Sequence, residues 1–187
     1  MKHFRNSRNP SDGDESSAIY QALNEFAGAS SWEQTYRVLQ KQRDLQLSEP
    51  TLALVRLLIH DYEASGQMQE VENWRQHLHL LEDACTSGVA KAWKRFVAQQ
   101  YAAAEAHDAL VCVTTLDELY SILTERQKVV LSDAMTVMLR ETIEQKYATH
   151  HFKVAARLEQ FLELLLDARM HGTARAWRRF QRAKRLV

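Results

Sequence analysis

From Gly172 onward the chain carries six basic residues, Arg175, Arg178, Arg179, Arg182, Lys184 and Arg185, and no acidic one. At helical spacing they lie opposite Ala176, Trp177, Phe180, Ala183 and Val187, which makes an amphipathic helix whose positive face could neutralise phosphates or carboxylates. The competing reading is that basic residues near a C-terminus complement the helix dipole and solubilise a capping helix, and it is preferred. Trp177 sits in the word AWRRF, and Trp93 in the matching word AWKRF. Because Trp and Arg dominate binding hot spots, both are candidate anchors for a partner; as core between modules they would serve packing instead. The partner-binding set is therefore Arg175, Arg178, Arg179, Arg182, Lys184, Arg185, Trp93 and Trp177.

Other reactive residue types are present without a constellation. Two His-Asp dipeptides, His60-Asp61 and His107-Asp108, resemble a fragment of the all-α metal phosphohydrolase pattern, but such sites need further ligands from other helices. His77 and His79 point to different sides of a helix and cannot share a metal on one face. Cys85 falls on an apolar stripe and is expected to pack rather than react. Glycines stand singly, so no phosphate-binding loop exists. No catalytic residue, cofactor or metal is expected.

The elements that position these residues follow from a repeat. Trp177 stands 84 positions after Trp93, and the same offset carries Ser31 to Phe96 onto Thr115 to Phe180 without a gap. Identical pairs include Tyr36/Tyr120, Leu39/Leu123, Arg56/Arg140, Asp83/Asp167, Gly88/Gly172 and Phe96/Phe180. Identity at tyrosine, tryptophan and glycine marks a duplicated structural unit.

Residues 1–15 are polar and are expected to form a disordered tail. Helix A begins at Ser16 or Ser17 and ends at Gly28. Ser30 and Glu33 have capping-box spacing for helix B, with Trp32, Tyr36 and Leu39 inward. Ser48 caps helix C, whose two apolar stripes, Leu52/Val55/Ile59/Tyr62 and Leu54/Leu57/Leu58, predict burial on two sides. Helix D turns Val71, Trp74, Leu78, Leu81 and Cys85 inward and stops at Gly88. The second unit repeats this order. Its helix A starts near Val89 and runs on through the alanine-rich stretch to Leu110, so one long helix joins the units. Thr114 or Thr115 and then Ser132 cap its next two helices, and Ala155, Leu158, Leu162, Leu165 and Arg169 occupy the inward stripe.

The expected fold is all-α: a right-handed helical-repeat solenoid of two 84-residue four-helix modules, residues 16–99 and 100–172, plus a basic amphipathic capping helix at 173–187. Trp177 is expected to be buried and the arginines exposed. The 187 residues are 45% hydrophobic, with 24 Lys+Arg balancing 24 Asp+Glu, so there is no net field to steer the molecule to nucleic acid. Two cysteines at unmatched repeat positions and the lack of a signal peptide or membrane span suggest a soluble cytoplasmic protein.

The words SSWEQTYRVLQ, LHLLEDAC and GVAKAWKRF, in this order, resemble helical repeats of tetratricopeptide-rich bacterial proteins from cyanobacteria and Chloroflexi, in which such repeats accompany CHAT protease domains. The resemblance implies an adaptor, scaffold or regulator in a bacterial multi-protein system. Its partner would be another protein, such as a protease or defence-type effector. The alternatives are nucleic-acid or anionic-surface binding through the basic helix and, least favoured, an all-α metal-dependent hydrolase.

Overall fold

The computed structural model describes the backbone of residues 10–184 and side-chain surroundings from 17 to 183. Among these residues it holds eleven helices and no strand: α1 (Pro10–Ala27), α2 (Trp32–Lys41), α3 (Arg43–Gln46), α4 (Glu49–Ala64), α5 (Met68–Ser87), α6 (Val89–Cys112), α7 (Leu116–Glu125), α8 (Gln127–Val130), α9 (Asp133–Ala148), α10 (Phe152–His171) and α11 (Thr173–Lys184). Both ends of α2 to α5 recur 84 residues later in α7 to α10. Each helix B of the sequence reading is divided, because the chain leaves the helix at Gln42 and Arg126 and adds one further turn, α3 or α8. α1 starts at Pro10, a residue suited to a first helical turn, rather than at Ser16 or Ser17. Of the tail expected over residues 1–15, residues 10–15 belong to α1 instead, and residues 1–9 lie outside the described residues.

Local chemistry sets the boundaries. Ser31, not Ser30, caps α2: its Oγ accepts from the Gln34 amide at 3.3 Å, while Gln34 Oε1 accepts from the Ser30 amide. At the matching position Thr115 and Glu118 form the complete reciprocal box, and backbone N–H donation from Thr114 and Thr115 holds the Glu118 carboxyl below its ordinary pKa. Gly88 and Gly172 adopt φ 84 and 83 with ψ near 148 and 146, a region essentially restricted to glycine. That conformation ends α5 and α10 and lets α6 and α11 start at once.

Two apolar clusters form the interior. One gathers Ile19, Leu23, Phe26, Leu39, Val55, Val71, Leu81 and Phe96, and the other Ala106, Leu110, Leu123, Met135, Leu139, Leu158, Leu165 and Trp177. α6 contributes to both, Phe96 to the first and Ala106 and Leu110 to the second. Between the halves α5 packs against α9, and Arg140 on α9 donates to both carboxylate oxygens of Glu72 on α5, at 2.9 and 3.4 Å. The equivalent Arg56 faces outward and pairs with Glu49 and Glu82 instead.

Three burial expectations are corrected. α4 is not buried on both sides, since Leu57 is 54% exposed; α5 packs on one of its flanks, whereas α9 lies between α5 and α10. Cys85 is exposed, with its Sγ 3.7 Å from the Leu47 carbonyl, because Ala84 rather than Cys85 completes the inward turn of α5. Trp32 is 37% exposed rather than inward, as it occupies the first position of α2, where the helix has only begun to meet the core.

Candidate functional site

The most distinctive surface lies where the first half meets the second. Trp32 opens α2, and one turn on, Tyr36 stacks on Trp93 of α6 with centroids 4.8 Å apart. Trp32 also meets Phe96 edge-on at 4.6 Å. Together with Val97, Tyr101, Ala104 and Met138 the two tryptophans line a groove, and Tyr101 is 75% exposed. The spacing of Trp93, Val97, Tyr101 and Ala104 places them on one face of α6.

Trp32 also lines a neighbouring cavity. α5 supplies Glu70, Asn73, Trp74 and His77, again one helical face, while α1 ends above it at Ala27 and α9 contributes Glu141. His77 is the centre of the arrangement. Its ring meets Phe26 at 5.1 Å, Trp32 at 5.5 Å and Trp74 at 5.8 Å, and its Nδ1 lies 2.9 Å from the Asn73 carbonyl. Burial pushes the His77 pKa down, only partly offset by that carbonyl, so the imidazole is neutral at pH 7. The cavity thus combines tryptophan faces, a neutral imidazole and two carboxylate side chains.

The residues singled out from sequence are divided between two places. Trp93 is half-buried in the groove. Trp177 is buried against the second core, 5.0 Å from the Tyr120 ring. On α11, Arg175, Arg178, Arg179 and Arg182 are exposed, but Arg179 donates to Asp167 at 2.7 Å. Arg95 makes the same contact with Asp83, so this ion pair recurs 84 residues apart and joins each glycine-linked helix pair. Arg179 is therefore held by the fold, leaving Arg175, Arg178 and Arg182 as the outward set. The side chain of Lys184 and all of Arg185 lie outside the described residues.

The histidine dipeptides do not assemble a site. His107 Nε2 lies 2.9 Å from Thr142 Oγ1, and His60 is exposed; no cluster of three metal-ligating side chains occurs among the described residues. No described helix is long and apolar enough to cross a membrane. Sequence reasoning passed over Glu70, Asn73 and Glu141, set His77 aside as unable to share a metal with His79, and treated Trp32 and Trp74 as ordinary core. The available signal was the mismatch between repeats, which puts Leu116, Leu158 and Phe161 opposite Trp32, Trp74 and His77.

Comparison with family models, curated proteins and solved structures finds no match.

Proposed function

We propose that the chain is a protein-interaction module, a right-handed helical-repeat solenoid of two 84-residue units, acting as an adaptor, scaffold or regulator in a bacterial multi-protein system. The observation that carries this reading is the groove of Trp32, Trp93 and Tyr101 beside the seam between halves. A tyrosine that is 75% exposed beside a tryptophan that is 37% exposed offers a large apolar area at little entropic cost, the composition of a binding hot spot. The recurrence of helix ends at 84 residues and the resemblance to repeats that accompany protease effectors support the same class.

Affinity capture with the intact protein and with Tyr101→Ala and Trp32→Ala tests this. The intact protein should recover a defined partner, and both variants should lose it, Tyr101→Ala without a change in melting temperature. Retention of the partner by both variants would refute the groove as the binding surface. A second reading, nucleic acid or an anionic surface bound by α11, rests on exposed Arg175, Arg178 and Arg182. It requires binding that weakens steeply with salt and vanishes when those three charges are reversed.

A further inference from the structure

The two halves handle one position in opposite ways. In the second half Arg157 on α10 reaches the end of α6, where its guanidinium donates to the carbonyls of Val111 at 2.9 Å and Val113 at 3.2 Å and stands 6.0 Å from the centre of the Phe161 ring. The last carbonyls of a helix lack intrahelical donors and carry the negative end of the dipole. A cation at that point is built into the second half.

The first half keeps the surroundings and changes the cation. Ala27 and Ala29 stand 84 residues before Val111 and Val113, at the end of α1, and the position of Arg157 is held by Asn73. Asparagine is too short to span that distance, and the space is the cavity bounded by Ala27, Ala29, Trp32, Trp74 and His77. The other replacements act in one direction. Trp32 and Trp74 stand for Leu116 and Leu158, adding two ring faces, and Glu70 stands for Val154, adding a carboxylate. Glu141 reaches the same cavity from α9 across the seam. Ring faces, helix-end carbonyls and carboxylates all attract positive charge.

We infer that this cavity binds a guanidinium group supplied by a ligand, in the place that the Arg157 guanidinium takes in the second half. Carbonyl acceptors call for N–H donors, which a quaternary ammonium lacks, and two indole faces suit a planar cation better than a tetrahedral one. The neutral imidazole of His77 presents no competing charge. The assignment does not depend on the groove reading, since a free guanidinium compound and an arginine side chain on a peptide present the same group.

Calorimetric titration of the intact chain with agmatine and with an acetylated, amidated Gly-Arg-Gly peptide tests it, with choline and the Gly-Lys-Gly peptide as comparisons. Saturable binding of a guanidinium probe, tighter than of either comparison, is expected. Tighter agmatine binding identifies a small-molecule site, and tighter peptide binding identifies an arginine on a chain. Glu70→Gln combined with Glu141→Gln, at partly exposed positions that should leave the fold intact, is expected to weaken binding about tenfold or more. Asn73→Arg rebuilds the arrangement of the second half and should abolish binding, whereas Tyr101→Ala should leave it unchanged even where groove binding is lost. Failure of both guanidinium probes to saturate, or undiminished binding in both the glutamine pair and Asn73→Arg, would overturn the assignment.

Discussion

The first half buries Thr35, Gln46, Thr51, Glu72 and Gln76, whereas the second buries only Thr136 among its described polar residues. At the first three positions the second half has Leu119, Val130 and Met135, all buried, so one backbone frame tolerates either a polar or a dry interior. The donors of the polar side chains are bonded, Gln46 Nε2 to the Ala22 carbonyl at 2.8 Å and Thr51 Oγ1 to the Leu45 carbonyl at 2.7 Å, while Gln46 Oε1 is buried without a partner. Glu72 and Gln76 have a different origin. Their counterparts Ala156 and Gln160 are exposed on α10, and the same face of α5 is covered because α9 lies against it. The two halves therefore differ in two ways, by residue type at shared buried positions and by the neighbour that covers α5.

The largest test of that contrast is at the paired arginines. Arg140→Ala strands the Glu72 carboxylate, whose side chain is 2% exposed, and should cost about 3–5 kcal/mol in urea denaturation. Arg56→Ala, at the equivalent position among exposed carboxylates, should leave the midpoint nearly unmoved. Equal effects would mean that the seam is not what distinguishes the halves. Next come the paired tryptophans. Trp177→Ala should cost about 3–4 kcal/mol by thermal unfolding, the range for a buried aromatic, and half-buried Trp93 clearly less.

A smaller effect is expected where the halves share a backbone and differ in residue. Gly66 has φ 73, and its counterpart His150 has φ 60. Left-handed geometry strains every residue with a Cβ, so His150→Gly should stabilise the protein by about 1 kcal/mol while Gly66→Ala should destabilise it by a similar amount. Opposite signs in the two denaturation series would sustain the equivalence of these turns.

The smallest effect is on pH dependence. His77 has a folded pKa below its unfolded value, so below the unfolded value the unfolded chain binds a proton that the folded chain resists. Its contribution is fully present above the unfolded pKa of about 6.5 and is lost as pH falls through the lower folded pKa. Glu70 and Glu141 line the same cavity, and their glutamine variants separate any carboxylate contribution. Replacing His77 by phenylalanine, the residue of the second half, should flatten the melting temperature in this window.

Helix class, the long shared α6 and the glycine stops were legible in the sequence because they depend on local rules: periodicity, caps and one unusual backbone geometry. The division of helix B was not, since Gln42 and Arg126 are unremarkable helix residues and the break appears only when the chain has to turn toward α4 and α9. Burial was legible where a stripe meets its own half, as at Val71 and Leu81, and misleading where it depends on a neighbouring helix, as at Leu57. The candidate cavity was hidden for a related reason. Tryptophan at helical spacing reads as core, and only the structure shows that Trp32, Trp74 and His77 line a cavity.

α6 has 24 residues, a length of about 36 Å at the rise of an ordinary α-helix. Neither half of such a helix would persist alone in water, since segments of about twelve residues are marginal without packing. Loss of one core would strip the apolar face from one end of α6 and expose the other end to fraying across Ala103, which is fully buried between the two clusters. A denaturation curve should therefore show one transition for the whole molecule. Hydrogen exchange at the midpoint of α6 should be as slow as in either core, so the chain behaves as a single cooperative unit.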